Sequence, residues 1–110
     1  MFEKIENLQI AYIGGGSMNW AWELIGDLAL DPQLSGIVRL YDINYDAAKS
    51  NEIIGNRLKD DPAALGKWAY KAEKTLKDTL TGADFVVISI LAGTFNEMIN
   101  NTKKYLNGWE

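Results

Sequence analysis

Apolar positions along the chain switch between two spacings. Leu8-Gln9-Ile10-Ala11-Tyr12-Ile13 is a short apolar run ending in Gly14-Gly15-Gly16-Ser17, which reads as a strand running into a glycine turn. Over residues 17–30 the spacing changes: Ala21, Leu24, Ile25 and Leu28 fall at i, i+3, i+4 and i+7, one face of a helix. Asp31-Pro32 ends that helix, because proline disfavours helical geometry in the residue before it. Gly36 then opens a second strand, Ile37-Val38-Arg39-Leu40-Tyr41, which closes at Asp42. Residues 44–58 predict a second helix, with Asn44 or Asp46 as cap and Ala47, Ile54 and Leu58 inward. A polar loop through Asp60-Asp61-Pro62 leads to Trp68-Ala69-Tyr70-Lys71-Ala72, whose alternation predicts a third strand. A short helix over 75–80 ends near Gly82. Phe85-Val86-Val87-Ile88-Ser89-Ile90-Leu91 is almost continuously apolar, the pattern of a parallel strand buried on both faces. Phe95, Met98, Ile99, Thr102 and Leu106 fit one face of a last helix.

Strand and helix alternate throughout, so the pattern predicts an α/β fold with a doubly wound parallel sheet. Right-handed crossovers give the spatial order 3-2-1-4 for four strands. This is a partial Rossmann-like sheet in a single domain spanning 1–110. The length of 110 residues suits one domain, and 47% hydrophobic with 24% charged residues is ordinary for a folded protein.

Charge and composition narrow the chemistry. A net charge of −4 with scattered Lys and Arg argues against nucleic acid. No signal peptide is expected after Met1-Phe2-Glu3-Lys4, and the apolar run at 85–92 is too short to span a bilayer. A cytoplasmic location is the expectation, with no membrane partner. The chain contains neither cysteine nor histidine, so thiol nucleophiles, Ser-His-Asp triads and Cys/His metal ligands are excluded within it.

The glycine turn stands after a strand and before a helix, where a phosphate site belongs. Gly14 permits the tight turn, and Gly16 lets the backbone approach a pyrophosphate without a Cβ in the way. The helix N-terminus offers N–H groups and a positive dipole end, with Ser17 and Met18 as candidate donors and the Ser17 hydroxyl as a third. Asn19 replaces the last glycine of G-x-G-x-x-G. Asp42 lies 26 residues beyond Gly16 at the end of the second strand, where a carboxylate accepts both ribose hydroxyls. The usual gap is roughly 20 residues, and the loop from Asp31 to Gly36 is expected to absorb the excess. A carboxylate repels a 2′-phosphate, so NAD is favoured over NADP. A plain turn with Asp42 as a cap is the alternative reading. The P-loop is excluded, because no Gly-Lys-Ser/Thr follows. Trp20 and Trp22 are expected in the core or an interface. Glu23, Asp27 and Glu52 read as solvated helix-face charges. The bend Leu91-Ala92-Gly93-Thr94 belongs at the carboxyl ends of the strands, either lining a ligand or simply looping.

Taken together, Ile10 to Ser17, Leu40-Tyr41-Asp42-Ile43 and Ala83 to Leu91 resemble the N-terminal segment of glycoside hydrolase family 4, on its α-galactosidase and α-galacturonidase branch. Asn51-Glu52-Ile53-Ile54-Gly55-Asn56 is similar to that family's second helix. The resemblance covers roughly residues 8–98. It implies glycoside hydrolysis with NAD and a divalent metal, usually manganese, outside the two-carboxylate scheme. In that chemistry hydride passes from carbon 3 of the sugar to NAD, elimination expels the aglycone, water adds, and hydride returns. By the resemblance, Gly14, Gly16 and Ser17 match the family's pyrophosphate turn. Asp42 matches the adenosine-ribose carboxylate, with Ile43 next to it as a further candidate cofactor contact, and Ile90, Leu91, Ala92 and Gly93 match the loop beside the nicotinamide ribose. Leu91 stands near the slot where the phospho-sugar branch has an arginine, which implies a non-phosphorylated sugar. The family's cysteine and histidine metal ligands and tyrosine base lie far downstream and have no counterpart here. Tyr105 is not that base. The expectation is therefore an NAD-binding part of such an enzyme that is not catalytically competent by itself, and the open edge of the apolar fourth strand adds the expectation of a homo-oligomer. A non-catalytic nucleotide-binding regulatory module, or part of another NAD-dependent dehydrogenase, are the alternatives.

Overall fold

The structure, a computed structural model, describes residues 4–18 and 20–89. Its elements run β1 (Ile5–Ile13), α1 (Trp20–Leu30), β2 (Leu34–Tyr41), α2 (Tyr45–Lys59), β3 (Trp68–Glu73), α3 (Leu76–Leu80) and β4 (Phe85–Ile88). The four strands form one parallel sheet in the order β3-β2-β1-β4, as the alternating pattern predicts. The expected last helix, and positions 90 and 91 of the fourth strand, lie outside the described residues.

One face of the sheet carries the core. Ile10 and Tyr12 of β1, Val38 and Leu40 of β2, and Trp68, Tyr70 and Ala72 of β3 pack with Ala21, Ile25 and Leu28 of α1 and Ala48 of α2. Each large aliphatic side chain buried there contributes roughly 1.5–3 kcal/mol, which makes the contact of α1 and α2 with this face the main stabilising layer. The predicted stripe of α1 is therefore the one it buries, with Leu24 packed at its margin. The C-terminal end of α1 is closed from a distance: Leu65 and Gly66 both donate N–H bonds to the Ala29 carbonyl, at 2.8 and 2.9 Å.

The opposite face is held by a buried cation. Arg39 donates from Nε to Thr79 O (2.9 Å) and from Nη2 to Thr81 O (2.8 Å), and its Nη1 reaches the Gln9 side chain. A guanidinium among the carbonyls at the end of a short helix meets their negative dipole ends, so Arg39 locks α3 onto the sheet. Thr75 caps that helix by accepting from Asp78 N.

Several expectations are corrected. The second strand starts at Leu34, so the extra residues between Gly16 and Asp42 lengthen β2 and the loop shrinks to 31–33. Gly36 does not open the strand. It lies inside it, where a Cβ would run into the Leu8 backbone of β1. The second helix buries Ala48, Asn51 and Gly55, while Ile54 faces solvent. Gly55 is seated on the ring of Tyr70, so small side chains let α2 approach the sheet and bulky ones are displaced outward. Trp20 and Trp22 are exposed on α1, which removes the core half of their expectation and leaves the interface half untouched.

Glu52 is no solvated charge. Its Oε2 accepts from Ala72 N at 2.6 Å, while Asn56, one turn on, both donates to Tyr70 O and accepts from Tyr70 N at 2.9 Å. Together they satisfy the outer backbone groups of β3, an edge strand in the described sheet. Burial opposes the ionised form of Glu52, yet hydrogen bonds from Lys49 and from Ala72 N outweigh it and hold the carboxyl below its ordinary value. At the other edge, Phe85, Val86 and Ile88 of β4 are half exposed or more, in place of the expected two-sided burial. Among the described residues β4 pairs with β1 alone and receives no substantial helix cover.

Candidate cofactor site

The glycine turn grows directly out of β1 and is stitched to β2. Gly14 and Gly15 both donate to the Tyr41 carbonyl at 2.8 Å. Gly14 has φ 96°, a left-handed conformation that side chains disfavour, which explains the residue type there. Gly15 and Gly16 are required by space. A Cβ on Gly15 would stand 2.7 Å from Leu40 Cβ, and one on Gly16 would stand 2.6 Å from Ala47 Cβ and 2.8 Å from Asp42 Oδ2. The turn thus needs three glycines for two reasons, one conformational and one steric.

Asp42 follows directly on β2 and faces this turn. Its Oδ2 accepts from Gly16 N and its Oδ1 from Asn44 N, each at 2.9 Å. Two backbone donors fix the carboxylate plane. Asn44 then caps α2 by accepting from Ala47 N at 3.2 Å, in keeping with its expected role. Ser17 donates its N–H to Gly14 O at 3.1 Å, and its Oγ accepts from Trp20 N at 3.1 Å, so the hydroxyl closes the first turn of α1.

These groups border a cleft of about 560 Å³ at the carboxyl ends of β1 and β2. That size falls within the usual range for small-molecule sites, roughly 300–1,000 Å³. Of the sequence-derived residues, Gly14, Gly16, Ser17, Asp42 and Ile43 line it. Ile43 is 96% exposed at its rim. Met18 is exposed and stands outside the lining. Leu91, Ala92 and Gly93 lie outside the described residues.

Sequence reasoning missed the opposite walls. Leu76 of α3 and Ser89, just past β4, also line the cleft. Ser89 donates its N–H to Ile13 O at 2.9 Å and its hydroxyl to the Tyr12 hydroxyl at 2.9 Å. It missed Asn51 as well, which lies behind the turn. The available signal was the helical stripe Ala48, Asn51, Gly55, small and polar where a core face is normally bulky.

The cleft spans the point where the strand order reverses between β1 and β4, it has the Asp42 carboxylate at one end, and the turn beside that carboxylate is free of Cβ atoms. Among the described residues no group of three or more Asp, Glu, His or Cys side chains is arranged to hold a metal. No described helix is long and apolar enough to cross a membrane.

Comparison with known proteins decides the family. The model of family 4 glycosyl hydrolases matches residues 9–106. The chain belongs to that family. An alpha-galacturonidase of Thermoanaerobacter italicus is 58% identical over 99 residues, which is 90% of this chain and 20% of that protein. One from Thermoanaerobacterium saccharolyticum is 60% identical over 95 residues, covering 86% and 20%. A third, from Bacillus subtilis, is 47% identical over 94 residues, covering 86% and 20%. A solved structure from Bacillus subtilis, described as a glucosidase, superposes with a TM-score of 0.75 at 46% identity. It covers 84% of this chain and 20% of that one. The family 4 chain therefore spans about a fifth of the length of the relatives it matches, and it corresponds to their N-terminal segment.

Proposed function

We propose that this family 4 segment binds NAD for a glycosidase acting on non-phosphorylated α-galacturonides or α-galactosides with NAD and manganese. The observation that carries the reading is the Asp42 carboxylate held against Gly16 N at the mouth of the cleft. An aspartate there accepts ribose hydroxyls and disfavours a 2′-phosphate. When bound, NAD supplies the hydride acceptor and donor. The chain's own share is to hold the dinucleotide: Gly14 and Gly16 admit the pyrophosphate, Asp42 orients the ribose, and Leu76 and Ile43 flank the base. By resemblance to the family alone, Leu91, Ala92 and Gly93 are the further cofactor residues we propose for the nicotinamide ribose. The alpha-galacturonidase names of its relatives support a uronide substrate. The same reading carries a cytoplasmic homo-oligomer. The exposed apolar side chains of β4 favour association, and a clean monomer in light scattering at high concentration counts against it.

Titration of NAD and NADP against tryptophan fluorescence, checked by calorimetry, tests the binding. NAD is expected to bind more tightly than NADP, and Asp42→Ala is expected to weaken NAD by about tenfold while affecting NADP less. Absence of binding of either dinucleotide at millimolar concentration rejects the reading. By itself, the chain is expected not to hydrolyse aryl α-galactosides or galacturonides with NAD and manganese, because it contains no Cys or His ligand for the metal.

A further inference from the structure

The residue that shapes the glycine turn is not in the turn. Asn51 sits on α2, 3% exposed, behind the glycines and away from the cleft lining. Its Nδ2 donates to Gly15 O at 2.7 Å and to Ser17 O at 3.0 Å. Its Oδ1 accepts from Trp22 Nε1 at 2.8 Å. One side-chain amide thus joins three elements, the turn, α1 and α2, and uses both of its N–H groups and its oxygen.

We infer that Asn51 is a positioning residue for dinucleotide binding, holding the Gly15 and Ser17 carbonyls turned away from the cleft so that neither of these oxygens faces an incoming pyrophosphate. This rests on the reading of the cleft as an NAD site. A carbonyl oxygen facing a diphosphate repels it, so a turn that binds anions must point its carbonyls elsewhere and satisfy them there. Gly14 and Gly15 donate to Tyr41 O, Gly16 donates to Asp42 Oδ2 and Ser17 donates to Gly14 O, so what remains to be fixed in the turn is what anchors the Gly15 and Ser17 carbonyls. Asn51 is that anchor. Trp22 fixes which way round the amide stands: its indole is only a donor, so Oδ1 must face it and Nδ2 must face the turn. An aspartate of the same shape would keep the Trp22 bond and set a carboxylate oxygen against two carbonyl oxygens.

Asn51→Asp and Asn51→Ala, compared with the parent chain, test the inference. The probes are NAD, which carries the pyrophosphate, and adenosine, which does not. Both variants are first checked for a cooperative thermal transition, and titrations are run well below it. The expected result is a loss of about tenfold or more in NAD affinity for Asn51→Asp, with adenosine affinity within about twofold of the parent. A purely structural role would lower both ligands together or neither. In amide NMR spectra, Gly15, Gly16 and Ser17 are expected to shift in both variants, and the Trp22 indole N–H in Asn51→Ala.

Equal loss for both ligands, or unchanged NAD affinity with unshifted turn amides, overturns the positioning role while leaving the NAD site standing. A parent chain that binds neither ligand overturns the NAD reading and this inference with it. If neither variant folds, the same comparison is made with Asn51→Ser, whose single hydroxyl can donate to at most one of the two carbonyls. NAD affinity falling without adenosine affinity supports the inference, and no change overturns it.

Discussion

Gly16→Ala separates the packing of the turn from its ligand chemistry. The added methyl would stand 2.6 Å from Ala47 Cβ and 2.8 Å from Asp42 Oδ2, both closer than carbon and oxygen atoms tolerate. Neither neighbour is the far end of a flexible side chain. Ala47 is fixed in α2, and the Asp42 carboxylate is held by two backbone donors. Overpacking of this kind costs typically 1–3 kcal/mol. For a domain of this size that lowers the melting temperature by roughly 5–15 °C. Displacement of Asp42 also removes its bond to Gly16 N, so NAD affinity is expected to fall by about tenfold or more.

Ala47→Gly relieves one of the two clashes. Alone, it costs up to about 1 kcal/mol through helix propensity. Combined with Gly16→Ala, it is expected to return part of the lost stability, with a coupling energy of about 0.5–2 kcal/mol in a double-mutant cycle. It leaves the Asp42 clash in place, so NAD affinity is not expected to recover. Urea denaturation followed by tryptophan fluorescence supplies the stabilities, and calorimetry supplies the affinities. Parent-like stability and NAD affinity in Gly16→Ala would refute the reasoning, as would complete recovery of binding in the double variant.

Gly55→Ala is expected to destabilise the chain by about 1–3 kcal/mol in urea denaturation, because the new methyl meets the Tyr70 ring; a neutral or stabilising outcome means that α2 does not seat there. Burial raises the Tyr70 phenol above its ordinary value near 10. The folded state therefore keeps that proton where the unfolded state loses it. The resulting stability is intact below pH 10 and falls at higher pH, by up to about 1.4 kcal/mol per pH unit. Tyr70→Phe keeps the ring and removes the proton, so its stability is expected to decline less steeply than the parent's between pH 9 and 11; parallel curves contradict the shift.

The pattern of apolar positions was enough to order the elements, to name the sheet order, and to set Gly14, Gly16 and Asp42 at the same end of adjacent strands. These features follow from local rules. A helix repeats every 3.6 residues, a run of β-branched residues favours a strand, and right-handed crossovers leave few ways to arrange four parallel strands. The Asn44 cap and the α1 stripe were legible for the same reason.

Other features depend on how close two elements come, and no local period encodes that distance. Ile54 looked inward from its hydrophobicity, yet Gly55 against Tyr70 decided which face of α2 meets the sheet. Glu52 looked solvated until β3 brought Ala72 N within reach of it. Gly36 looked like the start of a strand, but its missing Cβ serves the approach of β1 and β2. Asn51 lies in the stretch that resembles the family's second helix, but nothing in that stretch marks its role at the turn. Its partners lie 29, 34 and 36 residues away, and only the packing of α1 and α2 over one face of the sheet brings them to a single amide. The sequence determined which backbone would form the turn, and tertiary contact decided what holds it open.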